Sequence, residues 1–421
     1  MKRPTPASLK KVTPQNLELL GAARLAELLA AAAEARPEIK RRLRMELAAE
    51  QGAEALAVEI DKRLASLETS RGKISWRQRP GFVRDLDGLR GLIVGRLADL
   101  DRASAVRRMW MFLGAGRWVG SRLRDKHGAL AAVFDQAAQD LGALLADSDP
   151  AAAAEGLAAA IADWPAAWAV WLPIALRRAS PGLAAEALRR LSTRTGATAS
   201  WLPLIRQLAD AAEDPDAYRA TFTHKALLDP SAAAEVAQRM LAAGRLAEAA
   251  ALLEASRPRG GRSILGRGKG PEPDFDWESA WIETLDRSGR ADEAQAARWA
   301  SFERTLSAAR LRDITRRLAD FDDVEAESRA FAHAAIHEDV DAALRLLIDW
   351  PALPEAARLI EGRGDDIAVC AEDAELWAAK LRARQPEAAE RLLRKAAAAA
   401  FRRREFAVCD RLTAEADALE G

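Results

Sequence analysis

Residues 288–295 read SGRADEAQ, and the pattern returns as AGRLAEAA at 243–250, HEDVDAAL at 337–344 and ARQPEAAE at 383–390. Each copy follows a stretch with helical spacing of apolar residues (AEVAQRML, SAWIETLD, SRAFAHAAI, ELWAAKLR). Each then opens another such stretch (AAALLEA, AARWASF, ALRLLIDW, AERLLRKA). Apolar residues three and four apart place one stripe on each helix. Every copy therefore reads as a turn between two amphipathic helices whose stripes bury one another.

Tandem helix–turn–helix units follow the logic of tetratricopeptide-like repeats, which take about 34 residues each. Here the starts lie 45, 49 and 46 residues apart, so a unit must carry an extra helix or a long loop. The expected fold class is all-α, with irregular α-α helical hairpin repeats forming a tetratricopeptide-like right-handed solenoid. The rest of the chain agrees. Ala, Leu, Arg and Glu dominate, Val, Ile, Thr and Tyr are scarce, and no stretch alternates as a half-buried strand would. Five helix starts carry a capping side chain followed by proline: Thr13-Pro14, Asp149-Pro150, Ser180-Pro181, Asp214-Pro215 and Asp229-Pro230. IADWPAAW at 161–168 is echoed by LIDWPALP at 347–354, with each Trp expected to plug the joint between two helices. The chain divides at ALLADSDPAAA into an N-terminal helical domain, 1–148, and a helical-repeat domain, 149–421. The latter includes a loop at 257–274 expected to be disordered or mobile.

Over 421 residues, 63 basic side chains balance 63 acidic ones, so no global field draws the chain to nucleic acid or anionic lipid. Two cysteines, Cys370 and Cys409, are too few for a disulfide framework and fit a reducing compartment. The basic N-terminus leads into a Leu/Ala run broken by Arg24 and Glu27, unlike a secretory signal. The uncharged stretch 164–176 is too short for a bilayer and holds two prolines. A cytoplasmic protein without a membrane partner is expected.

Candidate chemistry is sparse. RPRGGRSILGRGKG at 257–270 spaces Gly261 and Gly266 as a phosphate-binding loop does, but Arg267 and Gly268 stand where Lys and Ser or Thr are required. It also leaves a helix rather than a strand. What remains is a candidate contact arm of Arg257, Arg259, Arg262, Arg267 and Lys269, without interleaved aromatics for base stacking. His333 and His337 stand one turn apart but lack a third zinc ligand and the glutamate of a zinc hydrolase. The acids of FDDVEAE at 321–327 are explained by the positive end of a helix dipole. RPEIKRRLR at 36–44 reads as a solvated basic face, and the spacing of Trp164, Trp168, Trp171, Trp277, Trp281 and Trp299 is that of buried stripes. No catalytic, cofactor-binding or metal-binding residue emerges.

SLKKVTPQNLELLGAARLAELL (8–29), RLRDKHGALAAVFDQAAQDLG (122–142) and above all ARWASFERTLSAARLRDITRRLADFDDVEAE (297–327), continuing through LRLLIDWPALPEAARLI (344–360), resemble a family of bacterial proteins known only as a domain of unknown function. The resemblance implies an all-helical, repeat-like bacterial protein and no mechanism. This chain departs from the family's Tyr/Gly/Asp-rich middle segment, reading ADWPAAWAVWLP instead, and from its Tyr-rich C-terminal motifs.

The expected function is a non-enzymatic helical-repeat scaffold for a protein or peptide partner, working without a cofactor. The alternative is a nucleic-acid-associated protein using the 257–270 arm, followed by an enzyme assembled from distant repeats.

Overall fold

A computed structural model describes residues 12–123, 125, 127–193, 199–258, 275–319 and 321–419, which are all-α, with no strand among the described residues. The chain separates by packing into two compact units, Met1–Phe222 and Thr223–Gly421. The boundary expected at 148/149 lies inside the first unit, between two helices.

The first unit contains α1 (Pro14–Glu18), α2 (Gly21–Ala35), α3 (Pro37–Ala49), α4 (Ala53–Thr69) and α5 (Arg79–Leu92). A π-helical turn, Ile93–Leu97, carries α5 into α6 (Ala98–Leu100). Then come α7 (Arg102–Arg122), α8 (Ala129–Ala146), α9 (Pro150–Asp163), α10 (Pro165–Leu176), α11 (Pro181–Ser192), α12 (Leu202–Ala211) and α13 (Pro215–Arg219). Leu56, Ile60 and Leu64 of α4, Leu86 of α5, Ile93, and Met109 and Phe112 of α7 are all buried, with α4 packed on α7 and on the π-helical turn. Each such side chain contributes about 1.5–3 kcal/mol on leaving water. Gly142 lets α8 approach α10 closely, because a Cβ there would lie 2.3 Å from the Ala175 carbonyl oxygen.

The second unit contains α14 (Pro230–Ala242), α15 (Leu246–Ala255), α16 (Phe275–Arg287), α17 (Ala291–Thr305), α18 (Ala308–Thr315), α19 (Asp322–Ile336), α20 (Val340–Asp349), α21 (Leu353–Arg363), α22 (Ala371–Leu381), α23 (Pro386–Arg402) and α24 (Phe406–Asp417). Helices in this unit pack mainly on neighbours one and two places along the chain. A continuous apolar core runs from Phe302 to Ala416.

Each of the four repeated motifs turns between paired helices: α14–α15, α16–α17, α19–α20 and α22–α23. In the first two, glycines at φ +76° (Gly244) and +72° (Gly289) take the left-handed position. The next amide reaches back five residues, Arg245 N–H to the Met240 carbonyl at 2.8 Å and Arg290 N–H to Leu285 at 3.0 Å. This closure satisfies carbonyls that the helix end leaves open. All five expected caps form. The side chains of Thr13, Asp149, Ser180, Asp214 and Asp229 accept backbone N–H bonds at the starts of α1, α9, α11, α13 and α14, each contributing about 1 kcal/mol.

The two Asp-Trp-Pro joints share a construction. Trp164, between α9 and α10, lies under the Arg117 guanidinium at 5.1 Å, and Arg117 also donates to the Asp163 carboxylate at 2.9 Å. Trp350, at the end of α20, lies under Arg312 at 5.3 Å, while Lys380 holds Asp349 at 3.2 Å. Trp164 packs edge-on against the buried Trp171, as a plug should.

Candidate functional site

The segment 297–327 spans α17, α18 and the start of α19 and contains the most heavily buried charge of the second unit. Arg298 on α17 is 1% exposed. Its Nε donates to Asp313 Oδ2 of α18 at 2.8 Å, and its Nη2 donates to Asp286 of α16. Arg317 bonds both of the same carboxylates. Beside this cluster, Arg310 donates to Ser301 Oγ at 3.1 Å and Ser279 Oγ at 3.0 Å and stacks on Phe275 at 4.5 Å. Ser301 in turn donates to Glu278, which also holds Arg304.

These bonds tie α16, α17 and α18 into one block through side chains that an apolar stripe would not supply. Burial is the largest influence on Asp313 and would push its carboxyl up. Hydrogen bonds and charge from Arg298 and Arg317 outweigh it, leaving the group below its ordinary value. Burial lowers the Arg310 guanidinium from its ordinary value, against the opposing charges of Glu278 and Asp313. A buried network this well paired positions helices, and the helix it positions next is α19.

α19 has two working faces. Ala326, Ala330 and Ala334 are buried toward the core. Val324, Ser328, Phe331 and Ala335 follow spacings of four, three and four residues and so share the other face, with Phe321 at the N-cap just before the helix. Phe321 is 86% exposed and Val324 60%. Against the C-terminal half of α19, from Ser328 onward, the chain forms a groove of about 490 Å³ with α20 and α21, floored by Phe331, Ala332, Ala335, Leu347 and Leu359, while Val324 lies on the same helix face outside it. Glu355, Arg358 and Arg363 stand at its polar edge. The volume falls in the 300–1,000 Å³ range of ligand sites.

Charge is divided between the two ends of α19, the groove lying toward its C-terminal end. Asp322, Asp323 and Glu325 occupy the first turn of α19. At the other end, Arg363 donates to the His337 carbonyl at 2.6 Å, past the C-terminus of α19, and Arg358 is 72% exposed in its side chain.

The sequence candidates fall elsewhere. Of the contact arm, Arg257 is described. It is exposed and stands 6.0 Å from the Trp281 ring, which stacks on the buried Trp277. Arg259, Arg262, Arg267 and Lys269, with the rest of the loop expected at 257–274 beyond residue 258, lie outside the described residues. His333 bonds the Glu303 carbonyl at 2.7 Å, and His337 Nδ1 accepts from the Asp339 amide at 3.1 Å. His333 therefore ties α19 to the end of α17, and His337 serves the turn before α20. No group of three His, Cys, Asp or Glu that could hold a metal ion occurs among the described residues. Cys370 caps α22, its Sγ accepting from Asp373 N at 3.5 Å. Among the described residues no helix is long and apolar enough to cross a membrane.

The family model described as a family of unknown function (DUF6880) matches residues 7–202 and 177–408. The chain belongs to that family. The matches include α17–α19, so the charged block and the groove both lie inside the region that DUF6880 defines. No curated protein and no solved structure matches the chain. Sequence reasoning missed the groove because α19's apolar face follows the spacing of a core stripe. The available signal was that α19 carries two apolar faces, one alanine-only and one with Phe and Val.

Proposed function

We propose that the chain is a non-enzymatic, tetratricopeptide-like helical-repeat scaffold, bacterial and cytoplasmic, whose α19–α21 groove receives an amphipathic helix of a protein partner. One observation carries this reading: a helix that already buries one alanine face in the core presents a second apolar face beside a groove. Helix-in-groove recognition uses anchors at such spacings. A soluble protein leaves large apolar side chains such as Phe321 and Val324 together in water at a cost that a partner removes.

The division of charge along α19 and beyond its C-terminus specifies the occupant further. A complementary helix is acidic where it meets Arg358 and Arg363 and basic where it meets Asp322 and Asp323. Acidic residues favour a helix N-terminus and basic residues its C-terminus. The partner helix therefore runs antiparallel to α19.

The test is affinity purification of the intact chain from its own cells after nuclease treatment, comparing wild type with Val324→Glu/Ala335→Glu. Both positions are exposed, so the variant should melt as wild type does. A stoichiometric protein held by wild type and lost from the variant supports the groove. Retention by both defeats it, and loss from wild type on nuclease treatment favours nucleic acid instead.

A further inference from the structure

The basic stretch 36–44, expected to be a solvated face, keeps Arg36, Arg42 and Arg44 exposed and also borders a cavity through Arg36, Arg41 and Arg42. Between α3, α4 and α5 lies a pocket of about 290 Å³, near the lower end of the small-ligand range. Its apolar floor is Ile39, Met45, Leu89 and Leu92, and Gly81 and Gly88 open its α5 side. Its wall holds five guanidinium groups, from Arg36, Arg41, Arg42, Arg63 and Arg84, against two carboxylates, Glu38 and Asp85. An excess of three positive charges has gathered here in a chain of zero net charge.

Asp85 does not neutralise this wall; it sets it in place. Its two oxygens take Arg41 Nη2 at 3.3 Å and Arg63 Nη2, fixing two guanidiniums from different helices side by side. The Nε atoms of both arginines are buried without an acceptor. Buried donors nearly always find partners, and a guanidinium carries five N–H bonds in a fixed fork. Arg36 and Arg84 are exposed and form no ion pair with a described residue, and Arg42 has only a 4.0 Å contact with Glu46. Arg42 Nη1 reaches within 3.4 Å of where a Gly88 Cβ would stand, so the glycine keeps that guanidinium close over α5.

We propose that this pocket binds a phosphate monoester with an apolar body, the phosphate held by the arginine wall and the body on the Ile39–Met45–Leu89–Leu92 floor. Guanidinium forks match phosphate oxygens two at a time, and a dianion answers an excess of three positive charges better than a carboxylate does. The site lies in the first unit and is independent of the groove proposed above.

The test is calorimetric titration of the full chain, at low salt, with octyl phosphate, octanoate, inorganic phosphate and octanol. Octyl phosphate is expected to bind one to one and about tenfold or more tighter than each of the other three, a factor that one charge-assisted hydrogen bond supplies. Binding should weaken as salt rises. Arg42→Gln/Arg84→Gln, at exposed positions, should lose at least about tenfold with its melting curve unchanged. Gly88→Leu, which fills the pocket, should abolish binding, with circular dichroism confirming that the helices persist. Absence of saturable octyl phosphate binding, equal or tighter binding of octanoate, or undiminished affinity in the arginine variant would each overturn the proposal.

Discussion

Truncating Arg298 probes the charged block directly. Arg298→Ala removes a guanidinium that is 1% exposed and leaves the Asp286 and Asp313 side chains, 30% and 18% exposed, facing one another. Removing one partner of a buried ion pair costs about 3–5 kcal/mol. Arg317 still bonds both carboxylates, so the expected loss sits at the lower end, about 3 kcal/mol. For a unit of some 200 residues that lowers the melting temperature by roughly 6–12 °C. Urea denaturation read by circular dichroism measures it, beside Arg298→Met to replace the apolar volume and Arg298→Met/Asp313→Asn to remove one stranded charge. The double variant should be less destabilised than the sum of its parts, as directly coupled groups are. A loss below about 1 kcal/mol, or one that vanishes in molar salt as an exposed pair's would, refutes the view that this network holds α16–α18 together.

Other consequences are open to measurement. Gly142→Ala should cost at least about 1–3 kcal/mol, because its Cβ would meet the Ala175 carbonyl oxygen at 2.3 Å and force α8 from α10. Gly289→Ala meets nothing within 4 Å and should cost only the left-handed backbone term, about 1–2 kcal/mol, so urea melts should separate steric strain from dihedral strain. Asp313 titrates below its ordinary value in the folded chain. Its contribution is therefore complete above about pH 4, the unfolded range, and is lost as pH falls through its lower folded value. Acid melts of Asp313→Asn should show a shallower loss of stability there than wild type; identical slopes would contradict the assignment.

Much of the helical frame was legible from local chemistry. Five cap-proline pairs and the glycines of two repeat turns act within a few residues, so Asp149, Ser180, Gly244 and Gly289 do in the fold what their surroundings require. The same five-residue closure also ends α12 and α23, where Glu213 (φ 54°) and Arg404 (φ 64°) occupy the left-handed position. Neither residue type announces that conformation, so these turns escape a search for glycine.

The sites were less legible because they depend on which helices meet. Arg298 within AARWASF looks like the polar face of an amphipathic helix until α16 and α18 bring carboxylates to it. Arg41 within RPEIKRRLR looks solvated until α4 and α5 bring Arg63 and Asp85 beside it, while Arg42 stays exposed. The face of α19 that carries Val324 and Phe331 has core spacing, and tertiary packing alone decided that the alanine face would be fully buried, leaving Phe331 half-buried and Val324 exposed.

In the proposed function, α19 and α21 receive a partner helix. The most direct measurement places a photo-reactive benzoylphenylalanine at Phe331, then at Val324, in the intact chain, irradiates nuclease-treated native extract and maps the cross-linked peptides. Both positions are expected to label one amphipathic segment of one protein. The Val324 cross-link should fall toward that segment's basic C-terminal end, and Arg358→Glu should abolish both. A partner retained in full but labelled from neither position, or labelling that survives Arg358→Glu, would contradict it.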